Sequence, residues 1–202
     1  MNTNNQFTEV FNNFIKKPGA EKKAALRAYQ TLNINPPADY LAALQFTDGG
    51  EGFIRYSYFR LYSITELLLF NESYQIARFA RRLVIFGSNG GGEAFGFDAR
   101  ENRIEIIQIP FIPMDFQYAK PLGKNFMEFL SLLKEAKSHD DSSLPQINMS
   151  AVGKEVHEIH PIVFGGSPTD DKNKALVPSE EHAKLSVFWN KVYQDRMYGR
   201  AA

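Results

Sequence analysis

Arg82-Leu-Val-Ile-Phe-Gly-Ser-Asn-Gly-Gly-Gly-Glu-Ala-Phe-Gly-Phe-Asp98 is the stretch on which the fold turns. Its first half, Arg82 to Phe86, is a short continuous apolar run of the kind a buried strand carries. From Glu93 to Phe97 apolar and polar or small residues alternate with period two, the pattern of a second strand. The glycines between them must turn the chain. Such a loop can cradle a phosphate through its amides. Here it lacks the Lys-Ser/Thr of a P-loop, joins strand to strand, and lacks the helix that follows a dinucleotide fingerprint. The reading is a turn that needs left-handed backbone. Downstream, Asp98 to Asn102 makes a hairpin turn and Arg103 to Ile109 returns as a third strand. Upstream, aromatic-rich Phe53 to Tyr62 reads as one further strand.

Helices flank this meander. Phe7, Val10, Phe11 and Phe14 fall at i, i+3, i+4 and i+7 and mark one apolar helical face, ended by Pro18-Gly19. Glu21 to Gln30 is a second helix. Asn35 is placed to cap a third, with Pro36-Pro37 in its first turn and Tyr40, Leu41 and Leu44 inward. That helix stops at Asp48-Gly-Gly-Glu-Gly52. Ser63-Ile-Thr-Glu66 is a capping box opening a helix to about Tyr74. Phe126, Phe129, Leu130 and Leu133 line a closing helix over 125–136. The class is α+β, with a four-strand antiparallel meander in residues 1–137. Residues 138–145 read as a linker, with His139 solvated. Residues 146–202 form a small strand–turn–helix unit: a strand near Val156, a turn at Gly165–Asp170 and a helix from Ser179 to about Met197. Leu185, Phe188, Trp189 and Val192 are its expected buried stripe, with Trp189 anchoring the tail to the main domain. Fifty-odd residues are marginal alone, so the tail is expected to pack on that domain.

Composition narrows the function classes. The chain has no cysteine, which fits a cytoplasmic protein and removes thiolate chemistry and Cys-ligated zinc. The N-terminal residues lack the basic start and apolar stretch of a signal peptide, and no run is long enough to span a bilayer. Lys+Arg and Asp+Glu are equal at 23 each. Proteins that grip phosphates carry a basic surplus, so nucleic acid is not an expected partner.

Four motifs, in order, resemble the SUKH superfamily, which includes a yeast cell-wall-synthesis regulator and many bacterial proteins. They are Pro36-Pro37-Ala-Asp-Tyr-Leu41, Phe46-Thr-Asp-Gly-Gly-Glu-Gly52, Leu61-Tyr-Ser-Ile-Thr-Glu-Leu67 and Phe86-Gly-Ser-Asn-Gly-Gly-Gly-Glu-Ala-Phe95. The Ile109-Pro-Phe111 segment and the closing helix extend the likeness across residues 6–137. Tyr62 stands where the family usually has Trp. The resemblance implies a SUKH-type sheet and a non-enzymatic immunity protein that binds and neutralises a bacterial toxin, commonly a nuclease. It places the Gly49-Gly50-Glu51 and Gly87–Glu93 loops near the binding face. Gly49, Gly50, Gly87, Gly91 and Gly92 would shape those loops, and Glu51, Glu93 and Asp98 would meet basic toxin residues. Against that, a carboxylate at Glu93 could simply serve the neighbouring glycine amides. A scaffold role in envelope or signalling control is the further alternative that the yeast relative suggests.

The tail resembles a different family. Val156-His-Glu-Ile-His-Pro-Ile162, Phe164-Gly-Gly166, Asp170, Asn173 and His182 look like an HNH, or ββα-metal, nuclease motif. By that resemblance His157 and His182 would be metal ligands, Asn173 would orient the strand, and Glu158 occupies the place of the general base, where the family has histidine. From residue 138 onward there are seven Lys/Arg against nine Asp/Glu, the wrong balance for a polyanion substrate. The expectation is a degenerate module with no cofactor and no catalysis. A metal-dependent endonuclease is the alternative. In the plainest reading, His182 and Asn173 hydrogen-bond the Gly165–Asp170 turn.

Overall fold

The computed structural model describes residues 3–101, 104–135 and 145–199, with the side chains of residues 3–5 set aside. Residues 138–144 of the expected linker, with His139, and the tip of the hairpin at Asn102 lie outside the described residues.

Phe7, Val10 and Phe11 bury one face of α1 (Thr3–Val10) and the residue after it. The helix then stops. Phe14 lies on β1 (Asn13–Lys16), which pairs with β2 (Gly50–Ile54). The helical spacing of Phe14 was therefore misleading: in an extended segment it still points inward, and its ring lies 4.9 Å from that of Phe11. β1 presses so closely on β2 that side chains at Gly50 and Gly52 are excluded. A Cβ at Gly50 would stand 2.4 Å from the Ile15 carbonyl oxygen, and one at Gly52 2.2 Å from that of Asn13. This close approach, rather than a turn alone, explains the glycine spacing around Glu51.

The run from Phe53 to Tyr62 is a hairpin and not one strand. β2 turns at Arg55, which adopts a φ of +57°, and returns as β3 (Ser57–Leu61). α2 (Lys22–Thr31) and α3 (Ala38–Phe46) precede it. Asn35 does not cap α3; Pro37 occupies that position without a side-chain bond, because the proline pair keeps the chain extended until Ala38. The capping box is present as expected at α4 (Ile64–Ser73). Ser63 accepts from the Glu66 amide, and the Glu66 side chain accepts from the Ser63 amide. A single turn, α5 (Ile76–Phe79), follows.

β4 (Leu83–Ser88), β5 (Glu93–Asp98) and β6 (Glu105–Pro110) form the centre of the meander. β7 (Lys120–Gly123) closes it, and α6 (Phe126–Glu135) packs behind. The sheet has seven antiparallel strands in sequential order β1 to β7. The extra three beyond the expected meander are the two edges and the split hairpin. The edges are four residues each, too short for period-two alternation to stand out. The interior is aromatic: Tyr40 packs edge-on against Phe97 and Phe126, and Phe59 against Phe95 and Phe129, with centroids 5.0–5.7 Å apart. Tyr62 is wholly buried beside Phe70, so an aromatic core residue is kept at the position where the family has Trp.

In the tail, β8 (Lys154–Glu158) and β9 (Lys174–Pro178) form an antiparallel pair, and α7 (Ser179–Tyr198) follows directly. The expected apolar stripe of α7 is on the wrong side. The helix turns Ser179, His182, Ala183, Ser186, Val187, Asn190 and Tyr193 inward, while Phe188 is 57% exposed. Small and hydrogen-bonding residues let the helix approach the main sheet's polar end closely; bulky ones would hold it off. Trp189 does not anchor the tail to the main domain. It stacks within the tail on Phe164, at 5.2 Å.

Candidate functional site

The tail docks where the glycine turn, the end of β3 and the start of α4 meet. The join is polar. Arg60, on β3, has its guanidinium almost fully buried. It donates to the Ser179 hydroxyl, bonds Glu66 at 3.0 Å and lies 3.5 Å from Glu155. Glu155, on β8, is completely buried and accepts from the Ser88 hydroxyl at 2.7 Å, while its Oε2 has no partner. Burial pushes the Glu155 carboxyl up to about 7, with Ser88 and Arg60 pulling against that. Burial also works to raise Glu66, but the Ser63 hydrogen bonds and the Arg60 charge outweigh it and hold that carboxyl near 2. One arginine thus serves two acids, and their opposite shifts follow from how much hydrogen bonding each receives.

The rest of the join is equally specific. The Val156 amide donates to the Gly90 carbonyl at 2.9 Å, so β8 grips the glycine turn through its backbone. Asn190 accepts from the Met114 amide at 2.7 Å and donates to the Phe111 carbonyl at 2.8 Å. Gln117 donates to the Tyr193 hydroxyl at 2.7 Å. His182 Nδ1 and the Tyr74 hydroxyl are 2.7 Å apart, and the His182 ring sits edge-on to Phe111. Burial, with the neighbouring His157 adding to it, lowers His182 to about 3. His157 is lowered by burial as well. Both imidazoles are therefore neutral near pH 7.

His157 and His182 border an open cleft of about 360 Å³ between the glycine turn, the Pro110–Pro113 segment and the tail. Glu93, Tyr118, His157, Glu158 and His182 supply its polar side chains. Another hollow, of about 590 Å³, lies among α2, α4, α5 and β4; apart from Arg82 and Glu72 it presents no charged side chain.

The residues singled out from sequence are distributed unevenly around this cleft. Glu51 is turned inward under the tail, where Tyr58 donates to it and the Gly153 amide reaches it at 3.0 Å. Asp98 lies at the end of β5 and is paired with Arg100 at 2.8 Å. Glu93 lines the cleft, and it does not serve the glycine amides. Asn89 does so, accepting from Gly91 at 2.8 Å and Glu93 at 3.1 Å. Within the turn Gly90 and Gly92 hold φ values of +67° and +100°, whereas Gly91 has a negative φ and only the Asn89 side chain beside it. Gly87 is fixed by a close approach to the Arg60 carbonyl on β3.

In the tail, Asn173 behaves as expected of a loop-holding residue. It accepts from the His160 amide at 2.8 Å and donates to the carbonyls of His160 and Ser167 at 2.9 Å. His182 does not bond the Gly165–Asp170 turn; it faces the main domain instead. His157 and His182 are brought together, with ring centroids 5.3 Å apart. Glu158 Oε2 is engaged by the Ile162 amide at 2.9 Å. Tyr74 holds His182 Nδ1, which leaves Nε2 as the ring nitrogen open to a ligand, and among the described residues no three His, Asp or Glu side chains converge as a ligand group. Sequence reasoning missed Arg60, Tyr74, Ser88 and Glu155 as interface residues. The one available signal was charge at Arg60, which sits in an aromatic and apolar run where an unpaired charge has no place; β8, Lys154-Glu-Val-His-Glu158, is charged along its length and marks out no single residue.

Fold and cleft define the class: an α+β protein with a sequentially ordered antiparallel meander and a β-β-α unit docked on one end. Residues 19–132 match the SMI1 / KNR4 family (SUKH-1), and the chain belongs to that family. No curated protein matches the chain in a sequence comparison. Among the described residues no helix is long and apolar enough to cross a membrane.

Proposed function

We propose that this chain is a non-enzymatic immunity-type protein that binds and neutralises a protein toxin in the cytoplasm, a nuclease of a polymorphic or contact-dependent toxin system. The observation that carries the reading is membership of the SMI1 / KNR4 (SUKH-1) family over residues 19–132, since bacterial members of the superfamily commonly act in this way. The cleft supports it, because a carboxylate-lined hollow beside the glycine turn suits a basic protein surface. Glu93 and Asp98 remain surface candidates for that contact. Glu51 would take part only if the tail moved away from it. The test is co-expression with the toxin encoded beside the gene. Growth is expected to be rescued from that toxin and from no unrelated one, and purified toxin and protein should co-elute. Absence of both rescue and co-elution would overturn the reading.

A second reading, a metal-dependent endonuclease, has one observation in its favour. The β8–β9–α7 arrangement sets His157 beside His182 and uses Asn173 to hold the intervening loop. It predicts nicking of plasmid DNA with Mg²⁺ or Mn²⁺ that His182→Ala abolishes. No nicking with either metal would remove it.

A further inference from the structure

The cleft between the glycine turn and the tail has two carboxylates, Glu93 and Glu158, and no lysine or arginine among the residues that line it. Each carboxylate is only partly satisfied. Glu158 accepts from the Ile162 amide, and Glu93 has Gln108 and Lys120 near it from beyond the lining. Burial raises the Glu93 carboxyl, and the charge on Glu158 adds to that rise. Two like charges thus share a partly desolvated space, and a cation between them would relieve the repulsion. His157, 4% exposed, lines the same space with its Nδ1 unpartnered. Ile112, Pro113 and the Tyr118 ring complete the wall with apolar and aromatic surface.

We infer that this cleft receives one basic side chain of a protein partner, an arginine. The guanidinium is planar, always charged and carries five donors in a fork, so it can engage two carboxylates at once. Its methylene stem lies along Ile112 and Pro113, and the Tyr118 ring offers a cation–π face. A metal ion is the weaker occupant, because among the described residues no three His, Asp or Glu side chains converge as a ligand group. At about 360 Å³ the space takes an arginine side chain with part of its own backbone, and it sits at the small end of ligand pockets. The inference rests on the toxin-binding reading and names the anchor that such a partner would carry.

The test uses the full chain and two small probes. N-acetyl-argininamide and its uncharged isostere N-acetyl-citrullinamide are titrated while the Gly91 and Gly92 amides and the His157 ring are followed by NMR. Saturable shifts with the arginine probe are expected, and at least about tenfold weaker binding of the citrulline probe, the scale of one charge-assisted pair. Glu93→Gln with Glu158→Gln should cost the arginine probe a similar factor and keep the melting temperature. Gln at 158 preserves an acceptor for the Ile162 amide. Absence of saturable shifts, equal binding of both probes, or Mn²⁺ broadening those resonances at micromolar concentration while the arginine probe does not bind would overturn the inference. If the wild type neutralises its toxin and the double variant does so with unchanged affinity, the anchor is lost and the toxin reading stands. If the arginine probe binds as expected and no toxin is neutralised, the anchor stands and the toxin reading falls.

Discussion

Arg60→Ala is expected to destabilise the protein by about 3–5 kcal/mol, the scale for removing one member of a buried ion pair and leaving the other uncompensated. Arg60 is the only cation bonding both Glu66 and Glu155 in the described structure, and Glu155 is completely enclosed. Two features make the prediction specific. Glu155 titrates near 7 even with Arg60 present, so in the variant it escapes by taking up a proton. The loss should therefore be smaller at pH 5.5 than at pH 8. Second, Arg60→Met combined with Glu155→Met should recover more than half of it, because replacing both charges with apolar groups of similar volume removes the desolvation cost along with the attraction. Urea unfolding measures the loss. Fluorescence of Trp189, the single tryptophan and a residue of the tail, separates undocking of the tail from unfolding of the whole chain read by circular dichroism. A loss under 1 kcal/mol at pH 8 would mean that Arg60 does not hold the join.

Stability against pH should follow most strongly the three carboxyl and imidazole groups with the largest shifts, with opposing signs; His157, lowered, and Glu93, raised, act in the same two opposing directions. His182 is depressed from 6.5 to about 3, so the stability it contributes is complete above 6.5 and is lost as pH falls toward 3. Glu66, depressed from 4.5 to about 2, contributes stability present above 4.5 and lost as pH falls toward 2. Glu155, raised from 4.5 to about 7, acts the other way: its contribution is complete below 4.5 and lost as pH rises toward 7. Between 4.5 and 6.5 the His182 and Glu155 slopes offset and the profile should be flat. Below 4.5 His182 and Glu66 act together, and stability should fall by about 3 kcal/mol per pH unit, twice the ~1.4 of a single group. Two variants divide the window. Glu155→Gln should turn the plateau into a rise with pH, and His182→Gln should turn it into a decline. Chemical denaturation from pH 3.5 to 8 measures all three. An unchanged plateau in both variants would show that neither group is linked to folding.

Most of the main domain could be read along the chain because its signals are local. The capping box at Ser63 and Glu66 needs three residues of spacing and nothing else, and it is present as read. β4 and β5 likewise carry their patterns within six residues each. Where the reading failed, a distant partner decided the outcome. Phe14 kept a helical spacing but was drawn into an edge strand by β2. The aromatic run 53–62 held no turn residue, and Arg55 took a left-handed conformation because pairing of β2 with β3 outweighs that local strain. The apolar stripe of α7 pointed to a buried face that the docked helix does not use.

The glycine-rich turn between Arg82 and Asp98 shows where the boundary falls. The strands β4, β5 and β6 and the turn between β4 and β5 follow from the sequence by itself, because backbone freedom at glycine and side-chain alternation act within a few residues; the family was legible there too, through the four motifs in order. That Gly90 carries the tail's β8, that Glu155 is sealed against Ser88 and Arg60, and that Glu93 and Glu158 line one cleft was settled by the tertiary structure. Those contacts join residues 65 or more positions apart, and a buried charge is stable only once its partner from elsewhere in the chain has arrived.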